Sequence, residues 1–427
     1  MGRISAPLML PTTSHSDNLN LKKFLQDDFE ANDLRSQLAA LFPYDSKTKI
    51  PKRIWQTWRD PVNSPKFPEA SLHHVEEWKK RAAEIVGEEY DYFFISDDEI
   101  MPLLKQLYGT VPYVIQAFMS MPEPILKADF FRYLILYAKG GIYSDIDTYP
   151  LKPFNEWFFL SPAGLKDYMN KKIGYGPAGN QNGQGSTFEP GLVIGIEADP
   201  DRSDWADHYA RRIQFCQWTF QSKPGHPILR ELIVNITATT LHSTDKLISD
   251  IKLPLHTIEK SHQVDYNVNY RHKKMHSLDF DVEAKKTSEN TDGTDVMNWT
   301  GPGIFSDIIF EYFDNLLRTN DNIALYNDNL LEEDPKTGAK NNVESTTHKF
   351  YKQISTSIIS ATPKLHWSFF SLIQHPVIVD DVVILPITCF SPGIDHMGSR
   401  NDDDPMAFVK HLFEGSWKSP GQEVLGG

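Results

Sequence analysis

Gly140-Gly141-Ile142-Tyr143-Ser144-Asp145-Ile146-Asp147 decides how the rest of the chain is read. A glycine pair closes a long apolar helix, a short apolar strand follows, and two carboxylates one residue apart stand at the strand's end. Hard divalent cations such as Mg²⁺ and Mn²⁺ take oxygen ligands of this kind and keep positions open for phosphate oxygens. Asp-x-Asp alone is common in acidic proteins, where it is a solvated turn, so its meaning rests on its surroundings.

Working outward, Ile125 to Lys139 reads as a strongly apolar helix, with Pro124 in its first turn and Gly140-Gly141 at its close. Asp129 and Arg132 lie three residues apart on one face of it. An ordinary surface ion pair has the same spacing. Here, however, the pair interrupts the apolar run Ala128 to Ala138, where a charge is costly without a partner. Such an Arg could hold a phosphate or a sugar hydroxyl, and such an Asp could accept from hydroxyls.

Upstream, Ile50 to Trp58 and Tyr90 to Ile95 read as strands, and Glu69 to Val86 as a helix. Ser96-Asp-Asp-Glu99 fits a capping box opening a helix to about Tyr108. Downstream, Leu192 to Ile196 reads as a buried strand, Trp205 to Phe220 as a helix and Val377 to Pro386 as a late strand. This alternation predicts an open α/β sheet flanked by helices, with ligands outside the carboxyl ends of the strands. Trp58 and the Asp-x-Asp both fall there. Leu19 to Leu41 has the spacing of an amphipathic helix, and the polar tracts 281–295 and 327–347 read as insertions.

Composition narrows the class. With 40% hydrophobic and 23% charged residues, the chain is globular rather than disordered. A net charge of −14 argues against a nucleic-acid or anionic-membrane binder. Only Cys216 and Cys389 could form a disulfide. No stretch approaches the ~18–20 apolar residues of a membrane span. Two sequons, Asn235-Ile-Thr and Asn298-Trp-Thr, lean slightly towards a lumenal protein.

The motifs together resemble glycosyltransferase family 32, the "sugar-binding region containing DXD" group. They are Ile50-Pro-Lys-Arg-Ile-Trp-Gln-Thr-Trp58, the Asp129-x-x-Arg132 helix and the Gly140–Asp147 stretch running on to Pro153. Within the family the chain is most similar to the fungal initiation-specific α-1,6-mannosyltransferases. It shares with them Leu34-Arg-x-Gln-Leu38, Phe42-Pro-Tyr-Asp45, Pro190 to Asp199, His396-Met-Gly-Ser399 and Gly415-Ser-Trp417. The match runs from about residue 34 to 418.

The resemblance implies a GT-A type nucleotide-sugar transferase fold over 46–420, after a stem segment over 1–45. It also implies transfer of mannose from GDP-mannose to a mannose 6-hydroxyl of an N-glycan or mannan acceptor, with retention of configuration and Mn²⁺ as cofactor. By likeness to the donor-binding core of the large glucosylating toxins, Trp58 would stack on the nucleobase. Asp129, Arg132 and Trp417 would position reacting groups, with Asp129 and Arg132 touching the donor sugar. Asp145 would face the ribose or sugar and the metal, Asp147 would ligate the metal, and His411 is a candidate third ligand. Ser416 and Trp417 would close over the diphosphate. Gln217 stands where many relatives carry Asn, which leaves it a weak sugar contact, and His396 could lie in the site or fix its loop. A type II Golgi membrane protein, with its catalytic domain in the lumen and a mannosyltransferase complex as a candidate partner, completes the expectation.

Three other readings compete. The wider family includes UDP-galactose and UDP-glucose transferases. A sugar-binding scaffold without activity would be expected to lose one metal carboxylate, and both are kept. Asp145-Ile-Asp-Thr148 also fits a haloacid-dehalogenase-type phosphatase with Asp380 and Asp381 as its later acidic pair, but Gly-Gly-Ile-Tyr-Ser is a poor lead-in for that nucleophile. For a covalent mechanism only Glu197 and Asp199 offer carboxylates near a strand end, and neither stands out, which favours same-face attack.

Overall fold

A computed structural model describes residues 34–160, 163–165, 168, 189–200, 205, 209–243, 296–319, 325–327, 365 and 367–413. In chain order its helices are α1 (Leu34–Leu41), α2 (Glu69–Ala83), α3 (Asp97–Tyr108), α4 (Pro112–Ser120), α5 (Pro124–Lys139), α6 (Pro227–Ser243), α7 (Val296–Trp299) and α8 (Pro302–Thr319). The strands are β1 (Arg53–Trp58), β2 (Asp91–Ser96), β3 (Gly141–Ser144), β4 (Thr148–Pro150), β5 (Leu192–Ala198), β6 (Gln214–Phe215), β7 (Thr219–Ser222), β8 (Leu325–Asn327), β9 (Val377–Val379), β10 (Val382–Leu385) and β11 (Val409–His411).

Among the described residues one mixed sheet runs β2-β1-β3-β7-β5-β10-β9-β8, with β6 joined to β5, and a small ribbon pairs β11 with β4. β1 lies parallel to β2 and β3, while β7 runs antiparallel to both β3 and β5. Gly141 and Leu192 both pair with Ser222, so the amino ends of β3 and β5 are level and Asp145 and Glu197 fall at the same, opposite edge. This is the open α/β sheet the sequence predicts, with the acidic motif at a carboxyl edge.

The period of two along each strand creates the layers. Trp55, Tyr143 and Ile194 face a core built with α3, α4, α5, α6 and α8, whereas Ile54, Ile142 and Val193 face a second core with Trp78 of α2. A sheet covered on both faces reads as apolar runs, which is why its strands were legible. Glu99 Oε2 accepts the Ser96 N–H at 2.9 Å, closing the expected capping interaction at α3. Gly140 (φ 64°) and Gly141 (φ 108°) turn α5 directly into β3. A Cβ at Gly141 would stand 2.5 Å from the Arg53 carbonyl, so only glycine lets β3 enter beside β1.

Three expectations are corrected or refined. Trp205 to Phe220 is not one continuous helix: among its described residues Gln214–Phe215 is a strand inside the sheet, and a second, Thr219–Ser222, begins before its end. Phe215 faces one core and Cys216 the other, so burial on both faces overrides the helical spacing. Val377 to Pro386 is a hairpin rather than one strand, with Asp380 at φ 56° in its turn. Of the predicted amphipathic helix only α1 lies among the described residues. It buries Leu34 and Leu38, and Arg35 pairs with Glu231 of α6 at 2.7 Å, so α1 is docked on the core. The tract 281–295, and 328–347 of the second tract, lie outside the described residues.

The sequons lose their force as well. Asn235 and Thr237 are buried within α6, and the Asn298 side-chain oxygen accepts from Arg211 at 2.9 Å. Cys216 and Cys389 are both buried and free, which answers whether they pair. Among the described residues no helix is long and apolar enough to cross a membrane.

Candidate active site

The site begins with how the chain holds its Asp-x-Asp. Asp145 donates its N–H to the Trp218 carbonyl at 2.8 Å. Its own carbonyl accepts from Gln56 Nε2 at 3.1 Å and from Thr148 Oγ1 at 2.6 Å. These three bonds fix the backbone from which the Asp145 carboxylate projects. Asp147 continues into β4, and β4 pairs with β11 so that Thr148 stands opposite His411. The Leu412 N–H donates to the Asp147 carbonyl at 2.9 Å, and His411 Nε2 reaches 3.5 Å from Asp147 Oδ1. One ligand atom each from Asp145, Asp147 and His411 lies within 4.8 Å of the others.

This donor set suits a divalent cation. Two carboxylates and an imidazole converge, and all three side chains stay partly exposed, which leaves room for further ligands. Burial lowers the His411 pKa to about 4, so its ring is neutral near pH 7 and offers a lone pair. Burial raises the Asp145 pKa, with Arg132 opposing it and Asp147 adding to it, as expected of a carboxylate whose balancing charge is a ligand. Trp218 packs its ring on His411 with centroids 4.5 Å apart and so orients the imidazole.

Beside the triad lies a buried charge pair. Arg132 Nη2 is 2.9 Å from Asp129 Oδ1 and 3.2 Å from Asp145 Oδ1, and its guanidinium sits over the Tyr143 ring. The bland reading of a surface ion pair is excluded, because Asp129 and Arg132 are almost wholly buried. Thr300 Oγ1 and Gln217 Nε2 donate to Asp129 at 3.0 and 3.3 Å, and Tyr133 Oη donates to Gln217 Oε1 at 2.6 Å. Burial raises the Asp129 pKa to about 6, against the attraction of Arg132. Arg132 Nε and Nη1 are buried with no hydrogen-bond partner among the described residues. A guanidinium with idle donors costs free energy unless a ligand oxygen receives them.

Trp58 ends β1 at the same edge, partly exposed, with its indole N–H unpartnered among the described residues. Gln217 therefore reaches the site through Asp129. His396 is exposed, in a turn where its carbonyl accepts the Ser399 N–H at 3.1 Å. Ser416 and Trp417 lie outside the described residues. Tyr143, whose Oη donates to Asp145 Oδ1 at 2.8 Å, escaped the sequence reading, although a strand residue two before Asp145 shares its face. Trp218 and Thr300 come from distant segments, and no local signal marks them.

The structure also separates the two carboxylates that the sequence left level. Asp199 is consumed by Ser371 Oγ (2.9 Å), the Leu372 N–H (2.6 Å) and Arg212 (3.0 Å), as a loop anchor. Glu197 faces the edge that carries Asp145. The phosphatase alternative fails on position: Asp380 and Asp381 form the β9–β10 turn at the amino end of β10, which runs parallel to β5, away from Asp145. Asp381 is there bonded by Tyr44, with His226 at 3.4 Å.

A candidate cation site at the carboxyl edge of an open mixed sheet, flanked by a buried Asp–Arg pair, fits a DXD-type sugar-nucleotide transferase. The family described as "Glycosyltransferase sugar-binding region containing DXD motif" matches residues 68–161. The chain is similar to the initiation-specific α-1,6-mannosyltransferase of Saccharomyces cerevisiae, 49% identical over 98% of this chain and 89% of that protein. Its namesake in Candida albicans is 40% identical over 95% of this chain and 81% of that protein. Among solved structures it is similar to PaToxG glycosyltransferase, with a TM-score of 0.26 at 14% identity, covering 68% of this chain and 95% of that one. This chain belongs to the fungal α-1,6-mannosyltransferases of glycosyltransferase family 32.

Proposed function

We propose that this enzyme transfers mannose from GDP-mannose to the 6-hydroxyl of a mannose on an N-glycan or mannan acceptor, forming an α-1,6 bond with retention. The observation that carries this is the Asp145–Asp147–His411 triad beside the buried Asp129–Arg132 pair. The names of the relatives supply the sugar and the linkage.

Asp145, Asp147 and His411 would hold the cation, Mn²⁺ in our reading, which when bound neutralises charge on the departing nucleoside diphosphate. Trp58, partly exposed at the end of β1, would offer its ring to the nucleobase. Arg132 directs its idle donors at a phosphate or sugar oxygen, and Asp129 accepts from sugar hydroxyls. In same-face transfer the acceptor oxygen bonds to the anomeric carbon as the bond to phosphate breaks, and the acceptor's proton passes to the leaving phosphate oxygen. The residues here then position groups rather than react covalently. Ser416 and Trp417 would cover the diphosphate, and the enzyme would work in the Golgi lumen, anchored as a type II membrane protein.

A donor panel tests this reading. Turnover with GDP-mannose and Mn²⁺ on an α-mannoside acceptor, giving an α-1,6 product, is expected. Turnover of UDP-galactose or UDP-glucose with none of GDP-mannose would overturn it.

A further inference from the structure

The sheet edge sets out the site's components in a line. Trp58 ends β1, Asp145 follows β3, Trp218 leads into β7, and Glu197 lies at the end of β5. Adjacent strands stand ~4.8 Å apart, so the end of β5 that carries Glu197 lies two strands, or ~10 Å, from the end of β3 that leads into Asp145, on the side away from Trp58. With the nucleobase at Trp58 and the diphosphate at the triad, the transferred sugar spans that distance. Glu197 is then met by what approaches from beyond the sugar.

Glu197 is also built to be presented there. Between Ile196, paired with Phe215, and Ala198, paired with Gln214, the β5–β6 register slips, so Glu197 is the extra residue of a bulge. Bulges re-aim a side chain and recur beside active sites. Gln214 Nε2 donates to Glu197 Oε2 at 2.9 Å and Trp218 Nε1 to Oε1 at 3.2 Å. These neutral donors fix both oxygens, and no salt bridge pairs Glu197 with a cation among the described residues. Each carboxylate oxygen has about two acceptor positions, so each keeps capacity for a further hydrogen bond with a hydroxyl. The stretch 214–218 thus holds two carboxylates, Asp129 through Gln217 and Glu197 through Gln214 and Trp218.

We propose that Glu197 is an acceptor-binding residue, accepting hydrogen bonds from hydroxyls of the incoming mannoside. This rests on the donor-site reading above, and the test keeps the two apart. Glu197→Gln and Gln214→Leu are compared with the parent enzyme, the second variant leaving the carboxylate but removing one of its tethers. Two affinities are measured by calorimetry: GDP in Mn²⁺, and an α-mannobiose in saturating GDP and Mn²⁺. The acceptor KM under GDP-mannose turnover is the third readout. Glu197→Gln should weaken mannobiose binding and raise its KM at least tenfold, with GDP affinity within about twofold; Gln214→Leu should shift both the same way by less. Unchanged mannobiose affinity and KM in Glu197→Gln would overturn the proposal, as would a parallel loss of GDP affinity, which would put Glu197 on the donor. Failure of the parent enzyme to bind GDP with Mn²⁺ would instead remove the donor-site reading.

Discussion

His411 Nε2 stands 3.5 Å from Asp147 Oδ1, although the two residues lie in distant parts of the sequence. The β4–β11 ribbon makes the approach, pairing His411 with Thr148, and the Leu412 N–H fastens it to the Asp147 carbonyl at 2.9 Å. The candidate cation site is therefore complete only when the late part of the chain has folded back onto the motif.

The first prediction separates the ligands. Asp147→Ala and Asp145→Ala should abolish transfer and Mn²⁺-dependent GDP binding, because each removes a charged ligand. His411→Ala should weaken Mn²⁺ binding by ~10–100-fold while leaving transfer measurable at high metal, as loss of one neutral ligand allows. Metal titration of GDP binding checks both. Near-normal Mn²⁺-dependent transfer by Asp147→Ala would refute the metal site.

Asp129 and Gln217 act elsewhere. Asp129→Ala should spare GDP affinity and cut transfer by ~10²-fold or more, as for a lost positioning contact. Gln217→Ala removes one of two neutral donors to Asp129, with Thr300 still in place, so its loss should be smaller, on the order of tenfold. Steady-state kinetics beside GDP calorimetry distinguishes the two. Equal losses in both variants would mean that Gln217 contacts substrate itself.

How far the sequence revealed this site follows from how its parts are encoded. Asp145, Asp147, Asp129 and Arg132 lie within one helix–turn–strand unit, where spacing alone sets their faces. Strands β1, β2, β3 and β5 were legible because a doubly covered sheet demands apolar runs. Gln214 to Phe220 reads as helix in the sequence because its strands are very short and their partners, β3 and β5, are distant in sequence. Glu197 and Asp199 looked alike until Ser371, Leu372 and Arg212 were seen to occupy Asp199.

Docking of α1 is a packing prediction. Leu38 is fully buried against the main core. Leu38→Ala should cost ~2–5 kcal/mol of unfolding free energy, the range for a large-to-small change in a packed site. Equilibrium denaturation measures it, and a change below ~0.5 kcal/mol would mean that α1 is not held there in solution.

The sequons should stay unmodified in the folded enzyme. Asn235 lies in the buried part of α6 and Asn298 is engaged by Arg211, so a glycan at either would have to displace packed groups. Secreted from a eukaryotic host, the chain should show no mass change on enzymatic removal of N-glycans. A shift of one glycan or more would overturn the placement of these helices.

The last prediction concerns pH. Burial raises the Glu197 pKa to about 7, above the value of 4.5 for an ordinary glutamate, with Gln214 and Trp218 opposing the rise. The folded state therefore holds this proton more tightly than the unfolded chain. Protons bound preferentially by the native state make stability fall as pH rises, here between about 4.5 and about 7. Asp129, raised to about 6, adds in the same direction. Without metal or nucleotide, the enzyme should lose on the order of 2 kcal/mol of unfolding free energy to Glu197 between these limits. Glu197→Gln carries no titrating group there, so its stability should fall less steeply with pH, and it should equal or exceed the parent at pH 8. Denaturant unfolding of both proteins across pH 4.5–8 measures the difference. Parallel pH profiles would show that Glu197 keeps an ordinary carboxylate pKa and is more open to water than its place at the end of β5 implies.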